Sequence, residues 1–361
     1  MAKNIIITCM KNEGPFILEW VAHHLAVGFD HFVVYTNDCD DGTVALLDAL
    51  SDAGIVTRFD NPYLKMKNPA PQRGALKHAQ NLDLVRDADW VLGSDVDEFV
   101  NIHVGDGTLE ALTKAAGHPD ALSMQWRLFG SAGIDTYSSR PITEQHLWCA
   151  PELCPRPVQA WGVKTLFRPK GFKSFGVHRP KNWQGAAGCK WVNGSGVQVA
   201  ESFLESGWRF GTGGYGYDLV TLNHYSVRNA ESYLVKKDRG RVNHVNRDQG
   251  GAYWLRMNFN MERNTSMLEK LPALQAKQAE LRKLPNVEAL HNDAVKHHRA
   301  KIKVLKNRDD LMVLYDDITS TRSKVVSRFL NVIDPDAFNH GVGAVPLELL
   351  KMLETVPTLD D

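Results

Sequence analysis

Two aspartates separated by one residue, Asp95 and Asp97, directly follow an apolar segment at residues 90–93. Such a segment predicts a buried strand, and ligands of open α/β sheets bind at the carboxyl ends of strands. Carboxylates two residues apart in a turn can point at one divalent cation, which prefers oxygen ligands and often completes its shell with substrate phosphates. The spacing therefore predicts a cation and phosphate site. The alternative is a solvated acidic turn.

The segments that must position these aspartates alternate between strand and helix patterns. Apolar runs predict strands at residues 4–10, 31–36, 55–59 and 90–93, and apolar stripes predict helices over 17–27, 43–50 and 72–86. Strands that alternate with helices are typical of a doubly wound α/β sheet.

The rest of the chain has a different pattern. Short β-like segments at 121–126, 164–168 and 221–225 lie in a stretch rich in Gly, Pro and aromatic residues, and the sequence becomes helical after about residue 265. A helix that begins near Asn229 carries Lys236 and Arg239, which share a face because they are three residues apart. The expected fold class is therefore α/β with a helical C-terminal extension.

Composition excludes several classes of protein. The 361 residues include 42 Lys and Arg and 42 Asp and Glu, with 18 acidic against 9 basic residues in 1–120 and 24 against 33 in 121–361. The pI of 7.2 argues against nucleic-acid binding, for which a domain pI above about 9 is typical. No apolar run is long enough for a transmembrane segment, and five cysteines without a signal peptide predict a reduced protein, cytoplasmic or at the inner face of the membrane.

Six spaced segments carry a family resemblance. They are residues 11–13 with 18–20 and 23–24, residues 35–37 with Asp41, residues 95–99, residues 126–130, residues 164–168 with His178, and residues 224–225 with Lys236 and Arg239. In this order they resemble family 2-type glycosyltransferases of the GT-A fold, closest to the branch related to glycosyltransferase family 92. The resemblance covers residues 1 to about 245.

The resemblance implies a fold, an activity and partners. It implies a GT-A-like doubly wound mixed sheet over residues 1–240, with a nucleotide-sugar and metal half at 1–120 and an acceptor half at 121–240, followed by a mainly helical extension at 241–361. The activity would be sugar transfer from a nucleotide-sugar, expected to be UDP-linked, to a glycan or lipid-linked acceptor. Mn²⁺ or Mg²⁺ would neutralise the departing nucleoside diphosphate.

The same resemblance assigns residues to the metal and the donor. The predicted metal ligands are Asp95, Asp97 and His224, of which Asp97 is also the catalytic ligand; a hydrogen-bonded core histidine is the alternative for His224. The predicted nucleotide-sugar contacts are Asn12, Glu13, Asn37, Asp41, Arg73, Asp95, Lys236 and Arg239. Capping or turn formation is the alternative for Glu13 and Asp41, and a solvated helix face for the two cations.

The acceptor side is less defined. Trp126 and His178 are the predicted acceptor contacts, with a core aromatic pair as the alternative for Trp126. An inverting mechanism needs a base near the acceptor hydroxyl, and the candidates Asp135, Glu144, His178 and Asp218 are not separated by the sequence.

Two other functions and two further expectations remain open. A nucleotidyltransferase shares the fold type but usually carries a glycine-rich phosphate loop after the first strand, and a non-catalytic carbohydrate- or cation-binding protein could keep the fold. Six basic residues within 296–308 suggest weak peripheral membrane contact, with a solvated helix as the alternative. Replacing Asp97 by Ala is expected to leave folding intact, because the neighbouring aspartate carries the same charge.

Overall fold

A computed structural model describes residues 4–65, 70–211, 213–240, 250–333 and 337–355. Its strands are β1 (Asn4–Met10), β2 (His31–Thr36), β3 (Val56–Asp60), β4 (Trp90–Gly93), β5 (Glu98–Ile102), β6 (Ala121–Leu128), β7 (Trp148–Cys149), β8 (Val163–Phe167), β9 (Phe172–Ser174), β10 (Lys181–Trp183), β11 (Trp191–Asn193), β12 (Val220–His224) and β13 (Glu262–Arg263).

The helices follow the same numbering along the chain. They are α1 (Ile17–Ala26), α2 (Thr43–Asp52), α3 (Pro71–Ala79), α4 (Asp83–Arg86), α5 (Leu109–Ala115), α6 (Ile142–Gln145), α7 (Glu201–Glu205), α8 (Ala230–Arg239), α9 (Gly251–Met257), α10 (Leu271–Arg282), α11 (Val287–Leu305), α12 (Asp309–Thr319), α13 (Thr321–Val326), α14 (Ala337–His340) and α15 (Leu347–Glu354).

The main sheet has nine strands in the described part of the chain. Its order is β3-β2-β1-β4-β8-β6-β12-β5, and β11 pairs with β6. The strands β3, β2, β1 and β4 run parallel, so their carboxyl ends lie at one edge. Their nearly continuous apolar sequences fit a sheet covered on both faces. The predicted strands at 4–10, 31–36 and 90–93 have the observed bounds.

The second half of the sheet is mixed. The strand β8 runs antiparallel to both β4 and β6, whereas β12 runs parallel to β6 and antiparallel to β5. In this register His224, the last residue of β12, lies opposite Glu98, the first residue of β5. The end of β12 is thereby placed beside the turn that carries Asp95 and Asp97.

Side chains of α1 hydrogen-bond to the backbone of the edge strand β5. The Trp20 indole donates to the Glu98 carbonyl at 3.0 Å, and His23 Nε2 donates to the Val100 carbonyl at 2.8 Å. Burial lowers the pKa of His23 to about 4, so the ring is neutral at neutral pH. These bonds explain the clustering of Trp and His in α1, since they satisfy carbonyls that the sheet leaves unpaired.

The C-terminal helices pack onto the sheet domain. One apolar cluster includes residues of the sheet together with Trp254, Leu281, Val287 and Ile318. The predicted α/β class with a helical C-terminal region is confirmed. The helix expected over 72–86 is broken into α3 and α4. None of the helices described combines the length and apolar character needed to cross a membrane.

Candidate active site

The loops after β1, β2 and β4 meet at one edge of the sheet. Because β1 pairs with both β2 and β4 in parallel, Asn12, Asp38 and Asp95 follow neighbouring strands. Asn12 and Asp38 have φ values of 51° and 50°, so the chain turns sharply beyond both strands. Asn and Asp tolerate this left-handed conformation better than most residues do.

Asp97 is buried and faces two basic side chains. Lys236 Nζ of α8 lies 2.7 Å from Asp97 Oδ2, and His224 Nε2 lies 3.5 Å from Asp97 Oδ1. Burial alone would raise the pKa of Asp97, but Lys236 and His224, with a smaller effect of Arg228, hold this pKa well below its usual range. The carboxylate is therefore ionised at neutral pH.

The position of His224 follows from the sheet register. The backbone N–H of Tyr225 donates to the Asp97 carbonyl at 2.8 Å, which continues the pairing of β12 with β5 into the acidic turn. His224 Nδ1 is buried without a hydrogen-bond partner among the described residues. The ring is thus placed by the backbone, with Nε2 toward Asp97.

Asp95 points toward a different set of partners. Its Oδ1 accepts from Gln72 Nε2 at 2.6 Å, and its Oδ2 accepts from Lys164 Nζ at 3.2 Å. Burial would lower the pKa of Lys164, but Asp95 and Glu98 raise it above its usual value. The buried ammonium therefore keeps its charge beside Asp95.

Glu98 anchors the acidic turn from the interior. Its carboxylate accepts from Ser94 Oγ at 2.9 Å, from the Asp95 N–H at 2.8 Å and from Trp126 Nε1 at 2.8 Å. Burial raises the pKa of Glu98 to about 7, although Lys164 acts against this. Glu98 is fully buried, so its role is to hold the turn and Trp126 in place.

Glu13, after β1, lies between two arginines. Arg228 Nη1 lies 3.0 Å from Glu13 Oε2, and Arg239 Nη1 contacts Glu13 Oε1 and the Lys11 carbonyl. Lys236 and Arg239 do share a face of α8, as predicted, but each is engaged by a carboxylate of the sheet edge. Four carboxylates (Glu13, Asp95, Asp97 and Glu98) thus face four cations (Lys164, Arg228, Lys236 and Arg239).

The other predicted donor contacts have local partners. Asn12 Nδ2 donates to Asp40 Oδ1 at 2.5 Å, and Asn37 Nδ2 donates to Asp38 Oδ2 at 3.3 Å. Both carboxylate oxygens of Asp41 accept backbone N–H groups, from Gly14 and from Thr43, each at 2.9 Å. Asp41 therefore makes the turn contacts given as its alternative, and its contact with the donor stays a prediction.

Arg73 is exposed in the first turn of α3, one residue after Gln72, which reaches Asp95. It is on the side of the sheet edge predicted for the nucleotide.

Four rings lead outward from Asp97. The Trp126 ring lies 4.7 Å from His224, 5.8 Å from His178 and 6.4 Å from Trp208, measured between centroids, and His178 lies 5.6 Å from Trp208. Trp126 is only 8% exposed, whereas His178 and Trp208 are half-buried. Access to this cluster from solvent is therefore at His178 and Trp208.

The candidate bases lie in different places. Asp135 pairs with Lys324 at 2.7 Å, and Glu144 of α6 pairs with Arg140, which precedes that helix. Asp218 precedes β12 and so lies at the opposite end of that strand from His224, roughly 20 Å away at 3.3 Å per residue. Of the four candidates, the structure brings only His178 into the ring cluster with Trp126 and His224.

The carboxylates and the imidazole at this edge include potential ligands of a metal ion. Among the described residues, no three His, Cys, Asp or Glu side chains are grouped so that they could hold one ion. Asp97 Oδ1 and His224 Nε2 are 3.5 Å apart, somewhat more than the roughly 3.0 Å between adjacent ligands of an octahedral ion with bonds of about 2.1 Å. A cation here would draw its other ligands from water and from phosphate oxygens.

Arg228 and Trp208 are among the residues at this edge that were not predicted from the sequence. Arg228 pairs with Glu13 and lies between β12 and the Asn229 cap of α8. A charged residue next to a helix cap was the sequence signal that could have indicated it. Trp208 lies in a glycine-rich loop far along the chain from Trp126, and no spacing pattern connects the two.

A sequence model of glycosyltransferase family 92 matches residues 6–201, more than half of the chain. The chain belongs to glycosyltransferase family 92. The matched part contains β1 to β11, with Asp95, Asp97 and Trp126, whereas His224 and the cations of α8 lie beyond it.

Curated relatives carry the same family name. A family 92 protein of Ricinus communis is 24% identical over 208 residues, which cover 56% of this chain and 35% of the relative. A family 92 protein of Oryza sativa is 22% identical over 209 residues, which cover 56% of this chain and 33% of the relative. A third, from Arabidopsis thaliana, is 28% identical over 95 residues, which cover 26% of this chain and 16% of the relative. The chain thus matches about a third of the length of its first two family 92 relatives.

Proposed function

We propose that this family 92 member is a glycosyltransferase of the GT-A type, related to family 2, which moves a sugar from a nucleotide-sugar to a glycan or lipid-linked acceptor with inversion. The observation that supports it most is the ionised Asp97 at the carboxyl end of β4, with Lys236 at 2.7 Å and His224 at 3.5 Å. A buried carboxylate beside a cation and an imidazole suits a charged phosphate ligand with its counterion.

A divalent cation, Mn²⁺ or Mg²⁺, is part of this proposal. Asp97 and His224 would hold it, and an imidazole ligand favours Mn²⁺ because Mg²⁺ prefers oxygen ligands. When bound, the cation supplies Lewis-acid stabilisation of the departing nucleoside diphosphate. Asp95 is separated from Asp97 by one residue of the turn and is held by Gln72 and Lys164. We assign it to contacts with the nucleotide or with water molecules around the ion.

The donor is proposed to lie along the ends of β1, β2 and β4. Asn12 and Asn37, beyond their bonds to Asp40 and Asp38, and the exposed Arg73 are proposed to contact its base and ribose. A UDP-linked sugar is the proposed form. The four cations that face Glu13, Asp95, Asp97 and Glu98 keep the edge close to neutral, so that an anionic diphosphate can approach it.

The acceptor is proposed to enter over His178 and Trp208. His178 Nδ1 donates to the Val163 carbonyl at 3.0 Å, which leaves the Nε2 lone pair free to accept a proton from the acceptor hydroxyl. Burial, with Lys164 adding to it, lowers the pKa of His178 to about 4, so the ring is neutral at neutral pH. The Trp126 ring contacts the rings of both His178 and Trp208.

The competing functions differ at the loop after β1. A nucleotidyltransferase would cradle phosphate with glycines there, whereas here Glu13 is fixed by Arg228 and Arg239 and followed by Gly14 and Pro15. Family membership favours sugar transfer over nucleotidyl transfer. Only a measurement of turnover distinguishes a non-catalytic binding protein from an enzyme.

Weak membrane contact stays a prediction. Of the basic residues in 296–308, four pair with carboxylates of the chain: Lys296 with Asp293, Lys301 with Asp238, Lys306 with Glu231, and Arg308 with Asp238 and Asp310. These pairs reduce the charge available to anionic lipids.

The test is turnover of a panel of UDP-, GDP-, CMP- and ADP-linked sugars with and without MnCl₂, followed as release of the free nucleotide, with thermal melting of the same mixtures. The true donor should raise the melting temperature by mass action and release its nucleotide faster when an acceptor extract is added. Binding of a donor without any turnover would leave the non-catalytic alternative, and neither binding nor turnover would reject the proposed function.

A further inference from the structure

The helix α11, which belongs to the C-terminal extension and lies outside the part matched by the family, borders the proposed donor edge. A cleft lies between them, lined by Asn12 and Asp40 from the loops after β1 and β2, Arg239 from α8, and His297 and Lys301 from α11. Four segments that are far apart in sequence thus share one cleft.

Glycines allow α11 to come this close. A Cβ on Gly14 would lie 2.7 Å from the Ala294 Cβ, and one on Gly42 would lie 3.6 Å from the same atom. Gly14 follows β1 and Gly42 follows β2, so both donor loops pack directly on α11. The helix is therefore a fixed wall of this edge.

The helix α8 connects this wall to Asp97. His298 of α11 hydrogen-bonds Ser232 of α8 at 3.1 Å, and Lys301 pairs with Asp238 of α8 at 2.7 Å. Lys236, on the same helix, reaches Asp97, and Arg239 borders the cleft about one helical turn further along. A ligand with its diphosphate at Asp97 would extend its nucleoside toward the cleft.

The side chains of the cleft suit a nucleoside. Asn12 and Asp40 hydrogen-bond each other, which leaves the second amide N–H of Asn12 and the Oδ2 of Asp40 to pair with ribose hydroxyls or a base edge. His297 is exposed with no hydrogen-bond partner among the residues described. Lys301 is 39% exposed and keeps two N–H donors beyond its bond to Asp238.

We propose that α11 completes the donor site, with His297 and Lys301 contacting the base or ribose of the nucleotide. This inference rests on the proposed function and assigns to the C-terminal extension a part in donor recognition.

The test uses the full chain and measures affinity by calorimetry. UDP, GDP, ADP and CDP are titrated with MnCl₂, the tightest is chosen, and inorganic pyrophosphate serves as a ligand without a nucleoside. The variants are His297→Ala with Lys301→Gln, and the control Lys303→Gln on an exposed position of the same helix. Asp238 keeps Arg308 as a partner at 2.6 Å, so the double variant should fold.

The expected result is about a tenfold loss of nucleoside diphosphate affinity in the double variant, with pyrophosphate affinity unchanged and the control within about twofold of wild type. Unchanged nucleotide affinity would overturn the role of α11 while leaving the proposed function intact. An equal loss for pyrophosphate would also overturn it, because the residues would then act on the phosphates or on the fold. If the wild type binds none of the four nucleotides, both this inference and the proposed function fall.

Discussion

Lys236 Nζ lies 2.7 Å from Asp97 Oδ2, although the two residues are 139 positions apart. The same ammonium also donates to the Ser226 carbonyl at 2.7 Å, so α8 is bound at once to the acidic turn and to the segment after β12. The dominant neighbour of Asp97 is therefore a cation. The expectation that removing this carboxylate would only relieve repulsion is wrong for that reason.

Replacing Asp97 by Ala should both inactivate and destabilise the protein. Loss of one partner of a buried ion pair leaves Lys236 uncompensated, which costs about 3–5 kcal/mol. Turnover should fall at least about a hundredfold, or about 2.7 kcal/mol of transition-state stabilisation. Melting temperature and nucleotide release measure the two effects.

The double variant Asp97→Asn with Lys236→Gln separates the loss of stability from the loss of turnover. It removes both charges of the pair and should recover most of the stability lost by Asp97→Asn alone, while turnover stays low. Wild-type-like turnover in Asp97→Asn would contradict a catalytic role for this carboxylate.

Replacing His224 by Ala should weaken Mn²⁺ binding and spare the fold. The side chain has no hydrogen-bond partner for Nδ1 among the described residues, so few bonds are lost. Titration of Mn²⁺ and of Mg²⁺ against wild type and variant, followed by calorimetry, checks this, and Mn²⁺ should lose more affinity than Mg²⁺. Identical affinities for wild type and variant would remove His224 from the metal shell.

Replacing Trp208 by Ala should weaken the acceptor and not the donor. An aromatic contact is worth about 1 kcal/mol, so the acceptor KM should rise about fivefold while donor affinity and kcat stay close to wild type. Trp183→Ala is the matched control, since Trp183 is also half-buried but packs on Phe172 with 5.1 Å between ring centroids. A rise in donor KM instead would place Trp208 outside the acceptor site.

Replacing Gly14 by Ala should lower the stability of the chain. The new Cβ would lie 2.7 Å from the Ala294 Cβ and 3.2 Å from Asp41 Oδ2, and overpacking of this kind costs about 1–3 kcal/mol. Gly343→Ala is the control, because a Cβ there has no atom within 4 Å. Urea unfolding of both variants measures the difference, and equal midpoints would show that α11 is not held against the loop after β1.

Lowering the pH should reduce the free energy of unfolding through His298, which connects α11 to α8. Burial, with Arg228 and Arg239 adding to it, lowers the pKa of His298 from 6.5 to about 3. Below pH 6.5 the unfolded chain binds a proton at this site and the folded chain does not. Because of this residue, the free energy of unfolding should fall by about 1.4 kcal/mol for each pH unit from 6.5 toward 3.

The variant His298→Gln removes the contribution of this histidine to the pH dependence of stability. The other buried histidines act in the same direction, so the measurement is the difference in slope between wild type and variant in urea unfolding from pH 7 to pH 4. Equal slopes would show that His298 does not remain neutral in the folded chain.

Local patterns determined much of the fold. The apolar runs at 4–10, 31–36 and 90–93 have the observed strand bounds because a strand buried on both faces needs apolar residues at successive positions. Since Asp95 and Asp97 directly follow one of these strands, their place at the sheet edge was also predicted. The spacing in α8 likewise predicted that Lys236 and Arg239 share a face.

The tertiary structure alone decided which charges meet. Arg228 pairs with Glu13 across 215 residues, and Lys236 with Asp97 across 139. Hydrophobic periodicity specifies the direction a side chain faces within its own element, but it carries no information about which distant element packs opposite. For that reason the ring of Trp208 beside Trp126, and the place of α11 beside the loops after β1 and β2, became visible only once the chain was folded.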